Sequence, residues 1–167
     1  LIKEKIFYDL RELANGPFFI EGKQTNPNVG QWPYDPEKAK SLLAEAGFSD
    51  TDGDGLLDRD GEPFSFKIIM PSGSPTYEQI LSLMQDELAK VGVKMVIDPY
   101  EWSVFIERLD ERNYDGCVLG WGGTVEGDPY QIWHSTSAAN KGSNHIGYEN
   151  EEVDRLIEEA RQEFDPN

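Results

Sequence analysis

The stretch DTDGDGLLDRDGE, Asp50 to Glu62, sets five aspartates and three glycines in thirteen residues. Calcium takes about six to eight oxygens, and a cation loop supplies them from alternating side chains. Asp50, Asp52 and Asp54 have that alternation, Gly55 takes the turn position after them, and Asp58 follows four residues beyond Asp54. The fit then fails. At the twelfth position, where a calcium loop between two helices places a bidentate glutamate, stands Gly61, and Glu62 comes one residue late. There is also no second copy of the loop. Two readings stand side by side: a calcium site made by Asp50, Asp52, Asp54 and Asp58, or a solvated, glycine-kinked turn joining a helix to a strand.

Other chemistry is sparse. His134 and His145 lie eleven residues apart and lack the close partners or thiolates of a zinc site, so both read as surface or hydrogen-bonded histidines. No G-x-S-x-G, Walker A or G-x-G-x-x-G pattern occurs. Carboxylate pairs are abundant, but among 32 acidic residues no pair stands out as an acid–base couple, which weighs against a hydrolase. Cys117, the one cysteine, sits in the apolar run CVLGW and reads as a buried small hydrophobe. The tryptophans carry more information. Trp102 opens a helical segment, and Trp121 and Trp133 flank a glycine-rich loop. Trp121 follows an apolar run and is succeeded by Gly122 and Gly123, which leave its surroundings open. Aromatic walls with a few polar groups are how small-molecule pockets are lined.

The elements that must position these residues follow from composition and periodicity. The 167 residues suit one domain, and 38% hydrophobic content supports a core. A net charge of −17 repels phosphate backbones and anionic membranes, so nucleic acid is a poor partner. No apolar run approaches the roughly 20 residues of a membrane span. No leader sequence opens the chain, and both ends read as cuts in a longer polypeptide. Ile2, Ile6, Leu10 and Leu13 at helical spacing predict a helix over 1–15, ended by Gly16-Pro17; 17–33 reads as a loop or crossing segment. In YDPEKAKSLLAEAG, Asp35 can cap a helix, Pro36 suits its first position and Gly47 its end. FSFKIIM (64–70) reads as a strand. A helix after Ser74-Pro75 carries Tyr77, Ile80, Leu81, Met84, Leu88 and Val91 on one stripe and ends at Gly92. VKMVI (93–97) is a strand, and 101–112 is a helix with Trp102, Phe105, Ile106 and Leu109 inward. YDGCVLGW is a buried strand, and a last helix starts at Asn150 with Val153, Leu156, Ile157, Ala160 and Phe164 on one face. The alternation predicts an α/β layer with mainly parallel pairing, whose ligand site lies at the C-terminal ends of the strands. Here that is GWGGTVEGDPYQIW.

Six segments in order, YDPEKAKSLLAEAGF, DTDGDGLLDRDGEPFSFKI, ILSLMQDELAKVGVKMVI, EWSVFIERLDERNYDGCVLGW, DPYQIWHS and NHIGYENEEVDRLIEEAR, resemble the extracytoplasmic solute-binding proteins of family 5, the dipeptide and oligopeptide receptors of ABC importers. The resemblance runs over 1–165. It implies a non-enzymatic receptor with the type II periplasmic-binding-protein-like fold, a mixed but mainly parallel sheet flanked by helices. Residues 1–33 would be an opening helix and crossing segment. Residues 34–167 would form the C-terminal α/β lobe of a two-lobed, monomeric protein whose other lobe lies outside this sequence. It further implies an extracytoplasmic location, in the periplasm or as a cell-surface lipoprotein, and docking of the closed receptor on a membrane permease. By the same resemblance Trp102 and Trp121 match pocket positions, and Gly122, Gly123, Thr124, Asp128 and Tyr130 join them as the expected ligand-binding set. Two departures bear on the ligand. Thr124 stands where peptide receptors of the family often carry the aspartate that pairs with the peptide α-amine, and Val118 stands where some carry arginine. The loop before Asp128-Pro129 is also about one residue longer. A peptide is the expected ligand and an oligosaccharide the alternative. No cofactor is required, with calcium the one candidate. A calcium-dependent structural or adhesion module is the competing function.

Overall fold

The computed structural model describes residues 1–14, 16–122, 127–139 and 141–163. They form two compact units: Leu1–Leu13, Gln31–Phe105 and Tyr114–Gly120 in the first, and Ala14–Gly30, Ile106–Asn113 and Trp121–Asn167 in the second.

In the first unit, helix α1 covers only Ile2–Lys5. The expected helix over 1–15 stops there because Tyr8 and Asp9 adopt positive φ (49° and 60°) and turn the chain, leaving Leu10 and Leu13 exposed. Helix α2 (Pro36–Glu45) forms where its signals place it: Asp35 Oδ1 accepts the Lys38 amide at 2.9 Å, and Pro36 fills the first position, where its missing N–H costs nothing. Strands β1 (Asp58–Arg59) and β2 (Glu62–Pro63) make a small antiparallel hairpin. Its two-residue turn needs left-handed backbone twice, and Asp60 (φ 58°) and Gly61 (φ 82°) supply it.

Strand β3 (Ser65–Pro71), helix α3 (Pro75–Ala89), strand β4 (Lys94–Tyr100), helix α4 (Trp102–Glu111) and strand β5 (Gly116–Cys117) follow. The sheet order is β4-β3-β5, and both pairings are parallel, with Ser65 opposite Lys94 and Ile68 opposite Gly116. Buried Ile68, Met70, Leu81 and Met95 form the core, backed by Phe66, Tyr77, Met84, Leu88, Ile97 and Val118. Alternate residues of β3 and β4 and the i, i+4 stripe of α3 therefore meet, as their periods require. Burial of each such side chain is worth roughly 1.5–3 kcal/mol. Gly92 ends the α3 connection with φ 76°, and a Cβ there would lie 2.7 Å from Leu57 Cγ, while its carbonyl accepts the Leu57 amide. Two expectations are corrected here. Strand β5 is two half-buried residues rather than the whole of YDGCVLGW, extended by one bond from Val118 N to Ile69 O at 3.1 Å. Cys117 is accordingly only half-buried, although that burial still pushes its thiol pKa up.

The second unit has helix α5 (Tyr130–Trp133), a 3-10 turn (Ser135–Ala138) and helix α6 (Glu151–Gln162). Asn150 caps α6 by accepting the Glu152 and Val153 amides, both at 3.1 Å. Ile157 is buried, but Leu156, expected on the same face, is half-exposed, and Phe164 lies outside the described residues. Two polar side chains organise the irregular stretch between the helices. Asn144 is fully buried; its amide donates to the carbonyls of Tyr148 and His134 and accepts the Tyr148 amide. Arg112, at the end of α4, donates to the carbonyls of Ala138, Asn144 and His145. An arginine fork replaces there the pairing that a regular element would give these carbonyls.

Candidate functional site

A cleft of about 660 Å³ opens in the second unit, within the size range of small-molecule sites. Pro17, Phe18 and Phe19 form one wall; Trp121, Gly122, Gly127, Asp128, Pro129, Gln131, Ile132 and Trp133 form the other. Trp121 leaves 49% of its surface exposed and lies against His145, ring centroids 6.4 Å apart and 19° from parallel. Trp133 meets Tyr148 edge-on at 5.6 Å.

The wall from Gly127 to Trp133 is held from behind. Asp128 Oδ1 accepts the Tyr130 amide at 3.0 Å and Oδ2 pairs with Arg161 Nε at 3.2 Å. The Arg161 guanidinium lies 4.3 Å over the Tyr130 ring, which stacks at 4.2 Å on His134. His134 is 3% exposed. Its Nδ1 accepts the Thr136 amide at 3.2 Å, which in the neutral ring leaves Nε2–H facing Glu158 Oε1 at 3.2 Å. Asp154, 3.9 Å from Nδ1, is held below the usual carboxylate pKa by hydrogen bonds from the Ser135 side chain and amide. The sequence expectation of a surface or hydrogen-bonded histidine thus resolves, for His134, into a buried and hydrogen-bonded one. The cleft's described charge is Asp128, already paired with Arg161, so the arrangement suits a contact surface for an apolar or aromatic group.

Of the expected ligand residues, Trp121, Gly122 and Asp128 line this cleft, and Tyr130 stands behind it in the Arg161–His134 stack. Gly123 and Thr124 lie outside the described residues. Trp102 belongs to the first unit, where it opens α4 directly after β4. It was expected to face inward, and this is corrected: it is 57% exposed, its ring 5.8 Å from that of Phe105, because Phe105 and Leu109 take the buried positions of α4. Val118 packs against the core of the first unit. Gln131 and Ile132 fall within the expected stretch GWGGTVEGDPYQIW, whereas Phe18 and Phe19 were not foreseen. The run PFF, apolar inside a segment otherwise full of turn residues, was the available signal.

The aspartate loop is a different object. Asp50 accepts the amides of Gly53 (2.7 Å) and Gly55 (3.0 Å), Asp52 that of Asp54 (3.1 Å), and Asp54 that of Leu56 (2.8 Å). Asp58 accepts the Thr51 hydroxyl (2.6 Å) and amide (3.1 Å), which lowers its pKa. Oxygens of Asp50, Asp52 and Asp58 come within 4.8 Å of one another, and Asp54 is not part of that group.

Residues 1–143 match the family described as bacterial extracellular solute-binding proteins, family 5 Middle. The oligopeptide-binding protein AppA of Bacillus subtilis is 39% identical over 136 residues, 80% of this chain and 25% of that protein. Its structure in complex with a nonapeptide superposes with a TM-score of 0.82 at 34% identity, covering 98% of this chain and 33% of the other. An oligopeptide-binding protein from Thermus thermophilus, complexed with a pentapeptide, gives a TM-score of 0.82 at 26% identity over 99% of this chain and 31% of the other. The chain thus spans about a quarter to a third of the length of the relatives it matches. Fold, order of motifs and family match agree: the chain belongs to the bacterial extracellular solute-binding proteins of family 5.

Proposed function

We propose that this chain is the C-terminal lobe, residues 34–167 with 1–33 leading into it, of a two-lobed receptor that captures a peptide outside the cytoplasm and delivers it to an ABC permease. The observation that carries the reading is the likeness over nearly the whole chain to oligopeptide-binding proteins, one of them in complex with a nonapeptide. An aromatic cleft with no catalytic constellation among its described residues fits binding rather than chemistry, and the receptor acts as a monomeric binder, not an enzyme. Trp121, Gly122 and Asp128 supply ligand contacts from this lobe, with Trp102, Gly123, Thr124 and Tyr130 as the further residues of the set. The protein works in the periplasm or as a lipoprotein at the cell surface. Mass spectrometry of the solute that co-purifies with the full-length receptor, followed by calorimetry with that solute, is the test. Bound peptides support the reading; an oligosaccharide in their place moves the receptor to the alternative ligand class.

A further inference from the structure

The two walls of the Trp121 cleft come from opposite ends of the chain, and one side chain ties them. Gln24 Nε2 donates to the Gly127 carbonyl at 3.2 Å, and Gln24 Oε1 accepts the Gly127 amide at 3.2 Å, across 103 residues of sequence. A primary amide is the neutral group that offers donor and acceptor side by side, so it pairs with one residue's backbone as a neighbouring strand would. Each side of the tie is anchored. On the Gln24 side, Thr25 Oγ1 donates to the Phe19 carbonyl at 2.6 Å, and the amides of Gly22 and Thr25 donate to the carbonyls of Phe19 and Gly22, so Gln24 and the Phe18–Phe19 wall move as one turn. On the other side Gly127 leads directly into Asp128, which the Arg161 pair and the Tyr130 amide hold in place. The Phe18–Phe19 turn is thereby joined to the Gly127–Trp133 side of the cleft through Gln24.

We infer that Gln24 is a positioning residue for ligand recognition: its reciprocal pairing with Gly127 holds the cleft at the width that takes an apolar or aromatic side chain of the bound peptide. This rests on the peptide-capture reading above. Gln24 is itself exposed and touches the ligand in no step; it acts through the two walls. Loss of the tie widens the cleft and speeds dissociation of those peptides whose side chain fills it, while peptides with alanine at that place lose nothing.

The test uses the full-length receptor with Q24A and Q24E, measured by calorimetry and surface plasmon resonance on two peptides of one length, one carrying phenylalanine and its partner carrying alanine at the discriminating position. Scanning phenylalanine along an alanine-rich peptide with the wild-type receptor locates that position. Two neutral hydrogen bonds at a solvated site correspond to roughly a threefold to tenfold change. Q24A is expected to weaken the phenylalanine peptide by that factor, through a faster off-rate, with the alanine peptide and the melting temperature unchanged. Q24E keeps the acceptor for the Gly127 amide but sets a carboxylate against its carbonyl, and is expected to lose at least as much. A purely structural role lowers melting temperature and active fraction and leaves the phenylalanine preference intact; that pattern, or Q24A binding both peptides within twofold of wild type, overturns the inference while peptide capture stands. A wild-type receptor that binds no peptide of either kind overturns the function first and the inference with it.

Discussion

The aspartate loop and the Trp121 cleft divide the chain's conspicuous residues between two kinds of organisation. The loop concentrates its polar groups in one turn, and Asp50, Asp52, Asp54 and Asp58 each bond an amide or hydroxyl no more than seven residues away. The cleft is made by segments that meet only in the folded unit, tied across 103 residues by Gln24 and closed from behind by Arg161 of α6. In the first case charged groups are spent on shaping backbone; in the second an aromatic surface is left uncovered. A dense run of functional residue types is therefore a poor guide to a binding site when short-range hydrogen bonds can absorb it.

The largest effect that could redraw this contrast is cation binding. Calcium bound only to the folded state at 100 times its Kd raises stability by about 2.7 kcal/mol. The convergence of Asp50, Asp52 and Asp58 is the observation that keeps this reading open, and melting in millimolar calcium and then in chelator decides it. An unchanged melting temperature removes the site and leaves the loop as a turn.

Next in size is the ligand contact. Trp121→Ala in the full-length receptor should weaken peptide binding at least tenfold, about 1.4 kcal/mol. Half of this side chain is exposed at the cleft, and aromatic contacts add roughly 0.5–1.5 kcal/mol to area burial. Asp50→Ala, by contrast, should leave affinity unchanged. If Trp121→Ala lowers the melting temperature and spares the Kd of the folded molecules, the tryptophan is packing and the contrast collapses.

A smaller effect sharpens the role of Asp58. Its pKa lies below the ordinary unfolded value of about 3.9, chiefly through the Thr51 hydroxyl and then the Thr51 amide. Its contribution to stability is thus complete above that value and is lost as pH falls through the lower, folded one. Acid melting curves should drop more steeply below about pH 4 for wild type than for Asp58→Asn. Parallel curves for the two proteins argue against the Thr51 bonds in solution.

Much of the first unit was legible in the sequence because its signals are local. Asp35, Pro36 and Gly47 delimit α2, and the stripe from Tyr77 to Leu88 meets the alternating residues of β3 and β4. The failures share a cause. Leu10 and Leu13 have helical spacing but stay exposed, and an isolated short helix is marginal without a buried face. Trp102 has the right period but stands exposed at the first position of α4, which periodicity does not reveal. Of the site, Trp121 could be picked out from its glycines. Phe18 and Phe19 were marked only by the apolar run PFF, and Gln24 by nothing, since no residue in a segment of turns announces a partner 103 residues away.

The hydrogen bonds of Asp50 have one further consequence, for how the protein ages. Aspartyl-glycine bonds degrade when the glycine nitrogen attacks the preceding carboxyl and closes a succinimide. Asp52-Gly53 and Asp54-Gly55 are two such bonds in an exposed turn. The nitrogens that would have to attack, those of Gly53 and Gly55, are the two whose N–H groups the Asp50 carboxylate holds. One side chain thereby engages the N–H that each reaction must free, so it should slow both. Peptide mapping after prolonged incubation should find isoaspartate at these positions accumulating faster in Asp50→Ala than in wild type. Equal rates in the two proteins count against that protection.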